Sequence, residues 1–394
     1  MIYGALQMEI LRTIGDANIL VEPSNSHGLY FDEKFLTKNA INKVELSQLD
    51  ICRLLSKDHF RPIFLHWEII DKCSFSCPFC YIVGHSNNSV VRFYEIKNNL
   101  NYLIQCGLLY CIISGGEATV HPDFIEIYTH LKKSGVIVEV YSNAAFLSED
   151  TIAILKRYPP HKFEVSIYAL DLDAFKINTQ SNFTPNDVLN NVLNLKNSGI
   201  NVICKTPVNR FTMKQIERIR EWCILNSITH YHSTDVFDAY DRTDLSENSA
   251  PLDIKTQFDA QNELAFRESH GIPSSSGSKI AFSCSVGAYG VHINSAFHLY
   301  PCSSFNGKIA GYDIKEMGMK DALSKLRNFI DRTKGTLIDG CVGCEASVFC
   351  KTCPATTQEI LDNETVIGYK TNSNRCATIQ HEYKLVSSRN APRI

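Results

Sequence analysis

Cys73, Cys77 and Cys80, set as Cys-x-x-x-Cys-x-x-Cys and followed directly by Tyr81, put three thiols into eight residues. Thiolate is the ligand that soft metal centres select, and the tight spacing lets one loop wrap around such a centre. A [4Fe–4S] cluster needs four ligands, and three thiolates leave one iron open. Two other readings stand beside it. A zinc site closes with a fourth Cys or His, which His85 could supply, and the three thiols could also be unrelated and buried.

The residues that follow alternate between strand and helix patterns. Strands are expected at Leu108 to Ser114, Val136 to Tyr141, Phe163 to Tyr168, Asn201 to Thr206 and Thr229 to Ser233. Between them, helical patterns run from Phe124 to Lys133, Glu149 to Tyr158, Pro185 to Ser198 and Lys214 to Asn226. Such alternation argues for a parallel sheet, whose ligands sit at the carboxyl ends of the strands. The polar residues at those ends are Ser142 and Asn143, Ser166 and Tyr168, and Lys205; ordinary strand-end polarity is the plainer account of each. The first expected strand runs into Ser114, Gly115, Gly116 and Glu117, where paired glycines would let the backbone approach a ligand closely.

Together, Cys73, Cys77, Cys80, the aromatic Phe79 and the Gly115-Gly116-Glu117 turn resemble the radical S-adenosylmethionine (SAM) enzymes. The resemblance implies a partial (β/α)6 barrel. It also implies that SAM chelates the open iron and is cleaved reductively to a 5′-deoxyadenosyl radical, with the electron supplied by an external reductant such as flavodoxin or ferredoxin. Cofactor contacts would come from Phe79, from Gly115, Gly116 and Glu117, from Ser142, from Asn143 at the ribose, and from Ser166 and Lys205 at the carboxylate. The family often has proline after the glutamate, where this chain has Ala118.

A second set of cysteines comprises Cys284, Cys302, Cys341, Cys344, Cys350, Cys353 and Cys376. In a chain that reads as cytoplasmic, dense thiols point to metal rather than to disulfides, and an odd number leaves one unpaired. Cys341 to Cys353 also fits a zinc ribbon. The pattern resembles the SPASM extension of peptide-maturing radical SAM enzymes, which carries two auxiliary [4Fe–4S] clusters. That resemblance assigns Cys284, Cys302 and Cys353 to the nearer cluster and Cys341, Cys344, Cys350 and Cys376 to the farther one, for three clusters in all. Two departures are visible: Phe297 stands where the family usually has glycine, and Cys350 to Cys353 is one residue short. The other cysteines, Cys52, Cys106, Cys111, Cys204 and Cys223, sit in apolar patterns that read as core.

The formal net charge of −3 gives no electrostatic footprint for nucleic acid, and the chain has neither an apolar run long enough for a membrane span nor a secretory signal. Four regions are expected: an amino-terminal segment over 1–60, the barrel over 61–250, a bridging helix and linker over 251–280, and an auxiliary-cluster domain over 281–394. In the first, short strands at Asn18 to Glu22 and Leu29 to Phe31 precede a helix over Leu46 to Leu55. This faintly resembles the winged-helix element with which peptide maturases bind a precursor leader; the alternative is a cap packed on the barrel.

The function implied is modification of a ribosomally made precursor peptide by thioether formation, carbon–carbon crosslinking or epimerisation. A formylglycine-generating enzyme of the anaerobic sulfatase-maturase kind is a second reading, and a non-catalytic electron-transfer protein is a third. Asp235, Tyr168 and Asp238 are the strand-end candidates for a base or radical quencher.

Overall fold

The computed structural model describes residues 10–14, 17–22, 29–31, 48–56, 60–82, 90–233, 240, 248, 286, 288–333, 338–339, 344, 355, 358–362, 365–370, 376, 380 and 384. Strands β1 (Ile10–Ile14), β2 (Ala17–Val21) and β3 (Leu29–Phe31) pair antiparallel in that order, and helix α1 (Gln48–Leu55) follows. The first strand was not expected from the sequence.

The main sheet is built on six parallel strands. These are β4 (Phe64–Glu68), β5 (Tyr110–Ser114), β6 (Ile137–Ser142), β7 (Lys162–Ser166), β8 (Val202–Pro207) and β9 (Thr229–Ser233). Helices α2 (Phe93–Gln105), α3 (Phe124–Lys133), α4 (Glu149–Arg157), α5 (Leu172–Thr179), α6 (Pro185–Asn197) and α7 (Ile216–Leu225) alternate with them. The α3 bounds are those expected, and the other expected elements shift by only a few residues. Local chemistry sets several starts. Ser148 caps α4 and Asp171 caps α5, while α6 opens on Thr184 and Pro185 with Asp187 closing a capping box.

Residues 290–333, expected inside a separate carboxyl-terminal domain, extend this sheet. Strand β10 (Gly290–Ile293) pairs parallel with β4, and β11 (His298–Tyr300) and β12 (Tyr312–Asp313) add antiparallel beyond it. Helix α8 (Ile314–Thr333), kinked at Gly318, packs against α2. The resulting order is β12-β11-β10-β4-β5-β6-β7-β8-β9. A small sheet of β13 (Ile338–Asp339), β14 (Gln358–Asp362) and β15 (Thr365–Lys370) follows. The expected bridging helix over 252–270 lies outside the described residues.

Alternation along the barrel strands sorts their side chains. Leu65, Trp67, Cys111, Ile113, Val138, Val140, Phe163 and Val165 join the core against the helices. Their neighbours at period two, His66, Glu68, Glu139, Tyr141, Glu164 and Lys205, turn to the opposite face of the sheet and line it with polar groups. Of the five cysteines read as core, Cys52, Cys111, Cys204 and Cys223 are buried, whereas Cys106 is half-buried at the end of α2.

The amino-terminal segment packs on the end of the barrel away from the strand carboxyl ends. Ile14, Ala17, Ile19, Val21, Ile51, Cys52 and Leu55 form one cluster with Ile63, Leu109, Tyr110 and Ile137, which lie at the amino-terminal ends of the strands. Arg12 drives in between, donating to the carbonyls of Leu108, Ile104 and Gly135. It thereby satisfies carbonyls at the carboxyl ends of α2 and α3, where a cation also suits the helix dipole.

Candidate functional site

The cysteine loop leaves the carboxyl end of β4 and is anchored by its aromatics. Phe75 is buried and meets Phe175 edge-on at 5.6 Å, and the Ser76 amide donates to Thr179 O at 2.7 Å. The sulfurs of this loop take hydrogen bonds. Cys73 Sγ accepts from the Phe75 amide at 3.4 Å and faces Asn143 Nδ2 at 3.5 Å, while the Tyr168 hydroxyl reaches Cys77.

Burial pushes the Cys73 thiol up to about 12 and that of Cys80 to about 11, and raises Cys77 strongly as well. Mutual repulsion adds to the effect, since Cys77 feels both of its partners. Three half-buried thiolates side by side are therefore unfavourable unless a cationic centre is among them, which inverts the balance.

The Gly115-Gly116-Glu117 turn lies against the root of that loop. The Gly116 amide donates to Ile70 O at 2.7 Å and the Glu117 amide to Lys72 O at 2.9 Å. A Cβ on Gly115, whose φ is +144°, would sit 2.1 Å from Ile70 O, and one on Gly116 would sit 2.2 Å from Asp71 O. The glycines are thus required by the neighbouring backbone, a closer constraint than the ligand approach expected from the sequence. Glu117 is buried and accepts from the Thr119 amide and hydroxyl, the Ser142 hydroxyl at 2.8 Å and the Asn143 amide at 2.7 Å.

The sequence of this region matches the Radical SAM superfamily over residues 67–223. The chain carries a radical SAM domain. Among curated proteins it is 26% identical over 123 residues to the Bacillus subtilis antilisterial bacteriocin subtilosin biosynthesis protein AlbA, covering 31% of this chain and 27% of that protein. It is 27% identical over 96 residues to the PqqA peptide cyclase of Rhodopseudomonas palustris, covering 24% and 26%. A probable GTP 3′,8-cyclase of Sulfurisphaera tokodaii is 34% identical over 107 residues, covering 26% and 34%. The chain thus matches only about a quarter to a third of the length of these relatives.

Solved structures share the fold more widely. Streptococcus suis SuiB bound to precursor peptide SuiA superposes with a TM-score of 0.64 at 15% identity, covering 89% of this chain and 95% of that one. For anSMEcpe with bound AdoMet the values are 0.61 and 15%, over 83% and 94%.

Within the radical SAM domain, the residues expected to contact the cofactor fall into two groups. Phe79, Gly115, Gly116, Glu117, Ser142 and Asn143 gather around the cysteine loop; Phe79 lies between the rings of Tyr168, at 5.5 Å, and Phe211, at 6.0 Å. The Asn143 side chain is directed to Cys73 and to Ser74 Oγ at 3.2 Å. Lys205 lies in the barrel interior, its Nζ 3.6 Å from Glu164 and over the rings of Tyr141 and Tyr231. Ser166 ends β7 and bonds to Tyr168. Asp235 and Asp238 lie outside the described residues, as does His85.

Sequence reasoning passed over Glu68. It accepts from the Tyr240 hydroxyl at 2.6 Å, bonds to Tyr81 beside Cys80, and is pushed up to about 7 by burial against those hydrogen bonds. Of the second cysteine set, Cys302, Cys344 and Cys376 are described, each half-buried and outside any disulfide; Cys284, Cys341, Cys350 and Cys353 lie outside the described residues. Among the described helices, none is long and apolar enough to cross a membrane.

Proposed function

We propose that the chain is a radical SAM enzyme that modifies a ribosomally made precursor peptide. The observation that carries the first half is the clamp between the cysteine loop and the glycine turn, in which the three thiols stand close enough to repel one another and Cys73 also feels the anchored carboxylate of Glu117. The donor set fits: three sulfurs, each in a hydrogen-bonded and buried setting, are the ligands of a [4Fe–4S] cluster with one open iron. Such a cluster supplies, when bound, a site for SAM and the electron that splits its sulfonium.

The protein's own residues then bind, orient and exclude water. The amides of Gly116 and Glu117 are already donated to the loop, so this turn offers a ligand's amino group its carbonyl oxygens. Phe79, Tyr168 and Phe211 form an aromatic wall beside the sulfurs that keeps water from the reacting centre. Lys205 and Glu164, with Tyr141, give the interior a polar lining suited to a cofactor carboxylate or to a peptide backbone.

A peptide substrate is supported by the relatives that act on peptides and by the second cysteine set. The nearer auxiliary cluster would be held by Cys284, Cys302 and Cys353 and the farther by Cys341, Cys344, Cys350 and Cys376, an arrangement suited to accepting an electron as a product bond forms. The leader would add as a strand to β1 or β3, the two edges of the amino-terminal sheet.

Anaerobically reconstituted protein, reduced in the presence of SAM, should release 5′-deoxyadenosine. A peptide encoded beside this chain and expressed with it should change mass. Absence of 5′-deoxyadenosine would overturn the enzyme reading; its presence with no peptide modified would overturn the substrate reading alone.

A further inference from the structure

The interior of the barrel holds a second cluster of metal-ligating side chains that the cysteine loop does not use. His66 and Glu68, two residues apart on β4, present the same face, and His292 on β10 stands in register directly opposite His66. One donor atom from each of the three lies within 4.8 Å of the others. The imidazoles of His66 and His292 have ring centroids 5.0 Å apart.

His292 is 0% exposed, yet neither of its ring nitrogens has a partner of good hydrogen-bond geometry, the nearest polar backbone being that of His66. A buried imidazole left in that state costs about 1–3 kcal/mol per unsatisfied group, so it calls for a partner. Its Nε2 lies 3.6 Å from Glu68 Oε2. That is too long for a hydrogen bond, but two ligands each about 2.1 Å from one ion at a tetrahedral angle stand about 3.4 Å apart.

The outer contacts are those a metal site uses to orient its ligands. Ser114 Oγ holds His66 Nε2 at 2.6 Å, leaving Nδ1 for an ion. The Tyr240 hydroxyl holds Glu68 Oε1 at 2.6 Å and Tyr81 also bonds to this carboxylate, while Oε2 faces His292. A histidine fixed through its second nitrogen and a carboxylate fixed through its second oxygen are the usual supports of metal ligands.

We propose that His66, Glu68 and His292 bind one divalent transition-metal ion inside the barrel, separate from the sulfur-ligated sites. Two nitrogens and one carboxylate oxygen select ions of the manganese, iron(II) and zinc kind over calcium or magnesium, and lack the thiolate that the cluster irons require. The ion ties β4, which feeds the cysteine loop, to β10, which leads through β11 to Cys302. This inference does not depend on what substrate the enzyme modifies.

The test is a titration of the full chain, with its clusters reconstituted, held oxidised and freed of loose metal, using Mn²⁺ as probe and electron paramagnetic resonance as readout. Oxidised [4Fe–4S]²⁺ clusters are silent in that measurement, and Mn²⁺ has little affinity for thiolate. The expected result is one Mn²⁺ bound per chain with ¹⁴N modulation from imidazole, displaced by Zn²⁺. In H292F and in Glu68→Gln, with cluster iron retained, affinity should fall by more than about tenfold, since even outer-contact changes cost about that much. No bound Mn²⁺, a bound ion without nitrogen modulation, or unchanged affinity in both variants would overturn the site. If a variant fails to hold its clusters, stoichiometry and nitrogen modulation in the unaltered protein decide the question.

Discussion

The backbone amide of Asn143 donates to Glu117 Oε2 at 2.7 Å, while the Asn143 side chain reaches the Cys73 sulfur. One asparagine therefore joins the glycine turn after β5, the end of β6 and the cysteine loop. The other Glu117 oxygen takes three further donors, from Thr119 and Ser142. Burial raises the Glu117 pKa and these bonds pull it back, as befits a carboxylate used as a structural acceptor.

Replacing that carboxylate by the isosteric amide tests the arrangement. In Glu117→Gln one oxygen becomes a donor and must face a donor, either the Asn143 amide or the Thr119 and Ser142 groups. A buried donor left without an acceptor costs about 1–3 kcal/mol. The urea midpoint should fall accordingly, and the SAM dissociation constant should rise because the turn and loop lose their common anchor. A variant with both quantities unchanged would mean that Glu117 anchors nothing.

Gly116→Ala is expected to act on the cysteine loop rather than on cofactor binding. Its Cβ would stand 2.2 Å from Asp71 O and 2.5 Å from Lys72 O, both backbone atoms that no rotamer change can move aside. The root of the loop must shift, carrying Cys73 with it. Iron and sulfide per chain should drop by about four each after reconstitution, the content of one such cluster. Full cluster content in this variant would show that the loop tolerates displacement.

Much of this was legible in the chain. The cysteine spacing marked the loop, and strand and helix alternation gave the parallel sheet, because both are set by local sequence. Strand β4 escaped notice because its alternating polar and apolar residues, His66 and Glu68 against Leu65 and Trp67, do not read as a buried parallel strand. That alternation exists because the barrel interior is polar. His292 was illegible for a different reason: nothing in its neighbourhood says that β10 will pair with β4, more than two hundred residues earlier. The reason for the glycine pair was likewise hidden, since the 70–72 backbone that demands it is distant in sequence.

Phe297 stands where the SPASM resemblance implies glycine, and its φ of +65° is the left-handed backbone that glycine favours. The tight turn explains why: the Phe297 amide donates to Asn294 O at 2.9 Å and the His298 amide to Asn294 Oδ1 at 3.0 Å. A left-handed residue with a Cβ costs about 1–2 kcal/mol. Against this, the Phe297 ring is 1% exposed and lies 6.0 Å from that of Trp67, and truncating a buried phenylalanine costs about 3–5 kcal/mol. Packing wins, so Phe297→Gly should be less stable by about 1–4 kcal/mol despite its easier backbone. A thermal midpoint at or above that of the unaltered protein would show that strain dominates.

Lys132 offers a pH test at the carboxyl-terminal end of α3. Its side chain is 2% exposed within α3, its Nζ donates to Pro159 O at 2.6 Å, and burial pulls its pKa from 10.5 down to about 7. In the unfolded chain the ammonium keeps its proton up to the ordinary lysine range. Below about pH 7 both states are protonated and the cost of burying the charge is felt in full. Between about 7 and 10.5 the unfolded state holds more protons than the folded one, so stability rises with pH across that window. The linkage ceiling for such a shift is about 5 kcal/mol, and relaxation around the charge will reduce it. Lys132→Met removes the charge and keeps the length. Its stability relative to the unaltered protein should therefore be most favourable near pH 6 and should decline steadily toward about pH 9, where the unaltered protein has shed the proton and keeps its bond to Pro159. Clusters are common to both proteins and cancel in the difference between their urea midpoints. A difference that stays flat with pH would mean that Lys132 remains charged in the folded protein throughout.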